Sequence, residues 1–373
     1  MKILHVVPSY KPAYIYGGTI ESVARLCEGL VNAGEQVTVF TTTANGREEL
    51  DIPPNTEYNV DGVSVVYCKR IFKDPIYISP ALWKRLYKEC AQYDVVHIHS
   101  WWNILVMVAA FICIKKKVKT IISPHGMMSD YILQHSNRVF KWFSHLSVGK
   151  ALLKKSLFHA TSDAEYKECT QLIAGWNGFM IPNIVWLPPL EISKPLNKTF
   201  TLIFLSRIHP KKGIELLMKA ISKMEIKPVL KIAGTGEPRY VNKLKQKAKE
   251  LNISENIKWE GWQEREDKFT AFMEADLFVL TSYNENFGNV IIEALHAGTP
   301  VLISNKTGLC SFVKKYNLGW ICKPEVADII WKLQEAMNET AARNWISKCA
   351  PLVIADFFSE QKLIPEYIKQ YQS

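Results

Sequence analysis

The stretch DLFVLTSYNENFGNVIIEALHAGTPVLIS, Asp276–Ser304, holds the fold in miniature. "DLFVLTS" is a short apolar run that reads as a buried strand. From Asn289, "NVIIEALHA" has apolar residues at helical spacing, and Gly298-Thr-Pro ends it. "PVLIS" is a second apolar strand. Strand, helix and strand in succession make a βαβ unit. Two carboxylates flank its Phe-Gly-Asn segment: Glu285 before the helix and Glu293 about one turn inside it.

The same alternation fills the chain. At the N-terminus "KILHVVPS" reads as a strand, followed by a loop with Gly17-Gly18, a helix over Glu21–Ala33 and the strand "QVTVFTT". "DVVHIHS", the apolar helix Ile104–Ile114, "KTIISPHG", a helical region through Lys155, "LFHATS" and "FMIPNIV" continue it. Pro-rich "VWLPPLEISKPLNK" (Val185–Lys198) reads as a linker. Then "TLIFLSRI", helix Ile214–Met224, "PVLKIAGTG", helix Tyr240–Leu251, "NIKWEGW" and a helix near Phe269–Ala275 lead into the opening stretch. Alternation twice over predicts two doubly wound α/β domains, residues 1–185 and 198–350. The last segment, residues 357–373, reads as a helix returning to pack on the first domain.

Length agrees with two domains, since 373 residues exceed one comfortable core. None of the eight cysteines forms a C-x-x-C pair, which points away from a zinc site or a disulfide framework and toward free thiols in a reducing cytoplasm. The longest apolar run, Ile104–Ile114, falls short of the roughly 20 residues of a membrane span. A cytoplasmic protein is expected, or one attached to the cytosolic face of a membrane. The net charge of +10 is concentrated: Cys68–Lys155 holds fifteen Lys/Arg against four Asp/Glu. Such a patch implies an anionic partner. Nucleic acid is disfavoured, because no recognised binding module is present.

Ligands of open α/β sheets bind beyond the carboxyl ends of the strands, so polar residues there carry the weight. Gly17-Gly18 precedes a helix and suits either an anion or a plain structural turn. His97 and His99 share one face of a strand, but no third ligand is spaced nearby and metal is not expected. His125 follows a strand, as a core histidine or a site residue. Arg207 closes a strand and Lys212 precedes Gly213 and a helix, so the two cations suit a diphosphate or form a solvated pair. Gly234 and Gly236 make a turn fit for a sugar or phosphate. The N–H groups of Gly288, Asn289 and Val290 form a helix first turn directed at the same anion. Glu285 and Glu293 then bracket that site along one wall and are not opposed as an acid/base pair. A carboxylate in that helix can accept hydrogen bonds from a vicinal diol such as a ribose.

The E-x7-E element Glu285…Glu293 with "FGNVIIEALHAGTPV" resembles that of retaining glycosyltransferases of family 4. "YGGTIESVARLCEGLVNAGEQVTVFTT", "DVVHIHSWW", "SPHG", "SRIHPKKG" and "IAGTGE" accompany it in that family's order, over nearly the whole chain. The resemblance implies the GT-B fold, two Rossmann-like domains across a cleft. It implies transfer of a sugar, with retention, from a UDP- or GDP-type nucleotide-sugar co-substrate, without a metal or other cofactor. By the same resemblance Arg207 and Lys212 bind the diphosphate, the Phe287–Val290 backbone (Phe287, Gly288, Asn289, Val290) adds N–H bonds, Glu293 binds the ribose and Glu285 the sugar. His125 stands beside the sugar, Gly17-Gly18 near phosphate and acceptor, and Trp262 near the base. Ser206 departs from the glycine many members carry before the arginine.

The leaving group arrives activated, so cationic stabilisation and orientation are the expected chemistry. The basic stretch, including Asn137–Ser156, can lie on an anionic leaflet, which suits a lipid-linked glycan acceptor or a lipopolysaccharide or exopolysaccharide intermediate. The competing expectations are a nucleotide-sugar 2-epimerase, a phosphorylase, and a non-enzymatic two-domain sugar-binding protein.

Overall fold

A computed structural model describes residues 1–72, 76–135, 149–192 and 197–373. The chain divides into two compact units: Met1–Val185 with Glu360–Ser373, and Trp186–Ser359.

The first unit is built on strands β1 (Lys2–Val6) and β2 (Gln36–Thr42), a short hairpin β3 (Ala44–Asn45) and β4 (Glu48–Glu49), then β5 (Glu57–Val60), β6 (Val63–Cys68), β7 (Val95–His99), β8 (Lys119–Ser123), β9 (Leu157–Ala160) and β10 (Gly178–Met180). Eight of them form one sheet in the order β10-β9-β8-β7-β1-β2-β6-β5. Only β5 runs antiparallel to its neighbour. The strands read as unbroken apolar runs because helices cover both faces. Alternate residues feed separate cores. Leu4, Val6, Val96 and Ile98 join the helices Pro80–Glu89 and Ile104–Lys115 through Leu82, Leu86, Leu105 and Val106. Ile3, Val7, Val37 and Val39 join the helix Gly18–Asn32 through Val23, Leu26 and Leu30.

The C-terminal helix Glu360–Gln372 completes that second core with buried Leu363, Ile364, Tyr367 and Tyr371. Each such side chain contributes about 1.5–3 kcal/mol by burial. The segment read as one helix from residue 357 is divided. Phe358 ends the helix Thr340–Phe358 of the second unit, Ser359 is extended, and the returning helix starts at Glu360.

The second unit holds β11 (Thr201–Leu205), β12 (Val229–Ala233), β13 (Ile257–Gly261), β14 (Leu277–Leu280), β15 (Val301–Ser304) and β16 (Gly319–Cys322). They are all parallel, in the order β13-β12-β11-β14-β15-β16. The order reverses direction between β11 and β14, which is where an open α/β sheet leaves a crevice at its carboxyl end. The Pro-rich stretch from Trp186 is docked on this unit: the Trp186 ring lies edge-on to Phe269 at 5.7 Å, and the Pro188 carbonyl accepts from His296 Nε2 at 2.7 Å.

Loops after β11 and β12 approach so closely that side chains are excluded. At Gly234 (φ +131°) an added Cβ would stand 2.0 Å from the Ser206 carbonyl oxygen. Gly234→Ala is therefore expected to destabilise the second unit by about 3 kcal/mol, read as a lower urea midpoint.

Candidate functional site

Four loops meet at the carboxyl ends of β11, β12, β14 and β15. Their backbones are tied directly. Tyr283 N–H donates to the Lys211 carbonyl at 2.9 Å, and Thr281 Oγ1 donates to the Gly213 carbonyl at 2.9 Å. Glu285 N–H donates to the Lys306 carbonyl, and Gly308 N–H donates back to the Glu285 carbonyl, each at 2.9 Å. Gly234 N–H donates to the Gly261 carbonyl at 2.6 Å. Side chains on these loops are therefore carried by a braced rim.

Lys212 ends a short 3-10 turn, Pro210–Lys212, which runs through Gly213 into the helix Ile214–Ser222. Its ammonium forms an ion pair with the Glu285 carboxylate. Burial pushes the Glu285 carboxyl up, but the ammonium of Lys212, with Lys211 and Arg207 beyond it, outweighs burial and lowers it overall. The cations act on His209 too: burial first, then Arg207, Lys211 and Lys212, depress its imidazole. Arg207 itself is exposed. The result is a carboxylate held ionised inside a cluster of three cations, so the cluster as a whole is cationic and suits an anion.

Gly288 caps the helix Asn289–His296 with φ +91°, and a Cβ there would meet the Ile291 side chain at 2.8 Å. The first turn, with Asn289 and Val290, opens at the same end of β14 as Glu285, and buried Phe287 wedges the loop against Phe358, ring centroids 6.1 Å apart. Glu293 lies within the helix and is 4% exposed. Its Oε1 accepts from Lys268 Nζ at 2.6 Å. Trp262 is exposed just after β13.

Sequence reasoning placed Arg207, Lys212, Gly234, Glu285, Phe287, Gly288, Asn289, Val290, Glu293 and Trp262 on one domain, and all lie on the second unit. It treated Lys212 as a cation awaiting a phosphate; in the structure Glu285 already neutralises it. It missed Lys268, because nothing local marks a lysine whose partner is 25 residues away.

Gly17, Gly18 and His125 lie on the first unit. Gly17 (φ +85°) caps the helix Gly18–Asn32 in the long loop after β1. His125 follows β8 with φ +52°, and the next residue, Gly126, donates its N–H to the buried Glu165 carboxylate at 2.6 Å. Its Nε2 lies 3.0 Å from His99 Nδ1. The expectation that His97 and His99 lack a third neighbour is corrected: β1 pairs with β7 so that His5 stands beside His97, and the ligand atoms of His5, His97 and His99 lie within 4.8 Å of one another. The separation of ninety residues hid this.

Part of the basic stretch falls outside the described residues, including Arg138, Phe140, Lys141, Trp142, Phe143 and Leu146. Its described part is less available than the charge count implies. Arg70 is buried and bonds Glu49 and the Gly46 carbonyl, and Lys119 donates to the carbonyls of Gln370 and Tyr371. Exposed residues remain, with Lys69, Ile71, Phe72, Ile76, Lys84, Tyr87, Lys88, Phe111, Lys115 and Lys117 among them. Among the described residues no helix is long and apolar enough to cross a membrane.

Two family descriptions match the chain in succession: Glycosyltransferase Family 4 over residues 16–185, and Glycosyl transferases group 1 over residues 191–352. The chain belongs to the family 4 type of glycosyltransferase, an enzyme class with the GT-B fold. An uncharacterized glycosyltransferase of Methanocaldococcus jannaschii is 27% identical, covering 100% of this chain and 98% of its own. Among solved structures, Anabaena HepE in complex with UDP and glucose superposes with a TM-score of 0.77 at 19% identity, covering 100% of this chain and 99% of its own. WaaG, a glycosyltransferase involved in lipopolysaccharide biosynthesis, superposes with a TM-score of 0.69 at 16% identity, with 98% of both chains covered.

The Glu285 carboxyl is lowered in the folded state. The pair therefore stabilises the fold above the unfolded pKa, and the contribution is lost as pH falls through the lowered folded value. Lys212→Met is expected to be about 2 kcal/mol less stable than the native chain at pH 7, a gap that narrows below about pH 4. Urea unfolding at the two pH values measures it.

Proposed function

We propose that this glycosyltransferase moves a hexose, with retention of anomeric configuration, from a UDP- or GDP-sugar to a glycan acceptor carried on a lipid or a growing surface polysaccharide. The observation that supports it most is the cationic cluster of Arg207, Lys211 and Lys212 around Glu285, at the point where the strand order of the second unit reverses. A nucleoside diphosphate leaving group needs fixed cations along its departing oxygen, and these stand on braced loops. Glu285, held ionised, accepts hydrogen bonds from the hydroxyls of the donor sugar. Arrival of the diphosphate frees it from its lysine by competing for the same ammonium. Glu293, paired with Lys268, accepts from the ribose diol. Exposed Trp262 stacks on the base.

No general base is required, because the departing phosphate takes the acceptor proton at the face it leaves, and no metal or other cofactor is invoked. The UDP named with the Anabaena structure supports a uridine nucleotide. The lipopolysaccharide role named for WaaG supports a surface-glycan acceptor.

A place at the cytoplasmic face of a membrane rests on the first unit. Ile76 lies at the start of the helix Ile104–Lys115, where its carbonyl accepts from Ile104 N–H at 3.1 Å. Lys116 Nζ sits 3.8 Å from the Tyr87 ring, so the two lysine-bearing helices lie side by side. Exposed Ile71, Phe72 and Phe111 among lysines form a surface that inserts shallowly into an anionic leaflet.

Thermal melts against a panel of UDP-, GDP- and ADP-sugars test the donor. A matching donor at 100 times its Kd adds about 2.7 kcal/mol, and a panel without any shift would sink the reading. Replacing Lys84, Lys88 and Lys115, exposed on these two helices, by alanine is expected to weaken binding to anionic vesicles at low salt. Equal sedimentation with the vesicles would reject the membrane face.

A further inference from the structure

The first sheet carries five imidazoles on neighbouring strands and the loop after β8: His5 on β1, His97 and His99 on β7, His125, and His159 on β9. His5, His97, His99 and His159 are buried. Three converging histidines invite a metal, but the ring geometry argues otherwise. The His5 and His99 rings lie nearly parallel, planes 11° apart, with 2.8 Å between His5 Nδ1 and His99 Nε2, and His97 stacks on His99 with planes 29° apart, so their lone pairs do not converge on one point. Five of the six nitrogens of this trio already meet a hydrogen-bonding partner, and His5 Nε2 alone is buried without one. Hydrogen-bonded chains fit better.

Burial holds the members neutral at pH 7, with His5 down to about 3 and His125 and His159 to about 4. Each ring therefore has one N–H, and the proton order can be traced. One chain is fixed by a carbonyl, which only accepts. His159 Nε2 is 2.8 Å from the Ile181 oxygen and must donate. His159 Nδ1 then accepts from Ser123 Oγ at 2.7 Å, and Ser123 Oγ accepts from His97 Nε2 at 2.6 Å. His97 Nδ1 is left to accept from the Tyr371 hydroxyl at 2.7 Å.

The second chain runs His5 Nδ1···Nε2 His99 at 2.8 Å and His99 Nδ1···Nε2 His125 at 3.0 Å. Its direction is decided at the inner end. An orphaned buried N–H is rarer and costlier than an unused lone pair. His5 Nε2 is thus bare, His5 Nδ1–H donates to His99, and His99 Nδ1–H donates to His125 Nε2.

We propose that His5 and His99 are positioning residues that lock His125 as its Nδ1–H tautomer, so that the nitrogen it offers a ligand is a hydrogen-bond donor and not a base. A sugar oxygen is the acceptor this donor selects; that half rests on the transferase reading above. His99→Asn and His99→Asp are matched in shape and opposite in what they show to His125 Nε2, since the first can donate and the second only accepts.

Nitrogen-15 long-range correlation spectra of the full chain, labelled at histidine, read the tautomer, with His125→Gln identifying the signal. The native chain and His99→Asn are expected to show a protonated Nδ1 and a bare Nε2, and His99→Asp a protonated Nε2. The preference for UDP-glucose over UDP, measured by calorimetry, should fall about fivefold in His99→Asp and stay within about twofold in His99→Asn. A native His125 protonated on Nε2 overturns the chain, whether or not His99→Asp folds. Tautomers as stated with equal sugar preference in both variants overturn the sugar at His125 instead.

Discussion

The ion pair of Lys212 with Glu285 depends on two backbones meeting where neither residue's own segment requires it. β11 and β14 are adjacent in the sheet although more than seventy residues of chain separate them, because the strand order turns back at that point. Their following loops leave in opposite directions, and Tyr283 N–H and the Thr281 hydroxyl stitch them to Lys211 and Gly213. Once these bonds form, a lysine from one loop and a carboxylate from the other share a half-buried space. Desolvation makes each costly alone, so the two are held as a pair.

The same economy governs Glu293. A carboxylate at 4% exposure is retained only with a charged partner, and Lys268 supplies it from a neighbouring helix. The carboxylates of the E-x7-E element thus have different holders, Lys212 from the turn after β11 and Lys268 from a neighbouring helix. Their spacing in sequence is a consequence of a strand-end loop followed by one helical turn. In the first unit the corresponding order is kept by neutral groups: imidazoles, Ser123 and the hydroxyls of Tyr367 and Tyr371 from the returning helix. There the chain ends stabilise the middle, since the tyrosines cap a hydrogen-bond chain that starts on the central strands.

Much of the architecture was legible because parallel strands are buried on both faces and read as plain apolar runs. "TLIFL", "VLKIA", "LFVL" and "VLIS" all declared themselves this way. The strands less visible were β5, whose alternating "EYNV" has an exposed face, β6, whose "VSVVYC" is interrupted by a serine, and β16, only the four residues "GWIC". The helices Val326–Asn338 and Thr340–Phe358 are also hard to see in sequence, because the strand before them has only four residues and no strand follows either of them.

The sequence by itself determined which residue types stand at strand ends: Arg207, Lys212, Gly234, Glu285 and the Gly288 cap all follow apolar runs whose burial is dictated by composition. Which of them touch was decided by tertiary structure. Lys212 meets Glu285, Lys268 meets Glu293 and His5 meets His99 across 73, 25 and 94 residues. Charge and hydrogen-bonding capacity are properties of a residue and are written in the chain. The partner that sets a proton's place or a carboxylate's charge is a property of strand order, and strand order exists only once the sheet has formed.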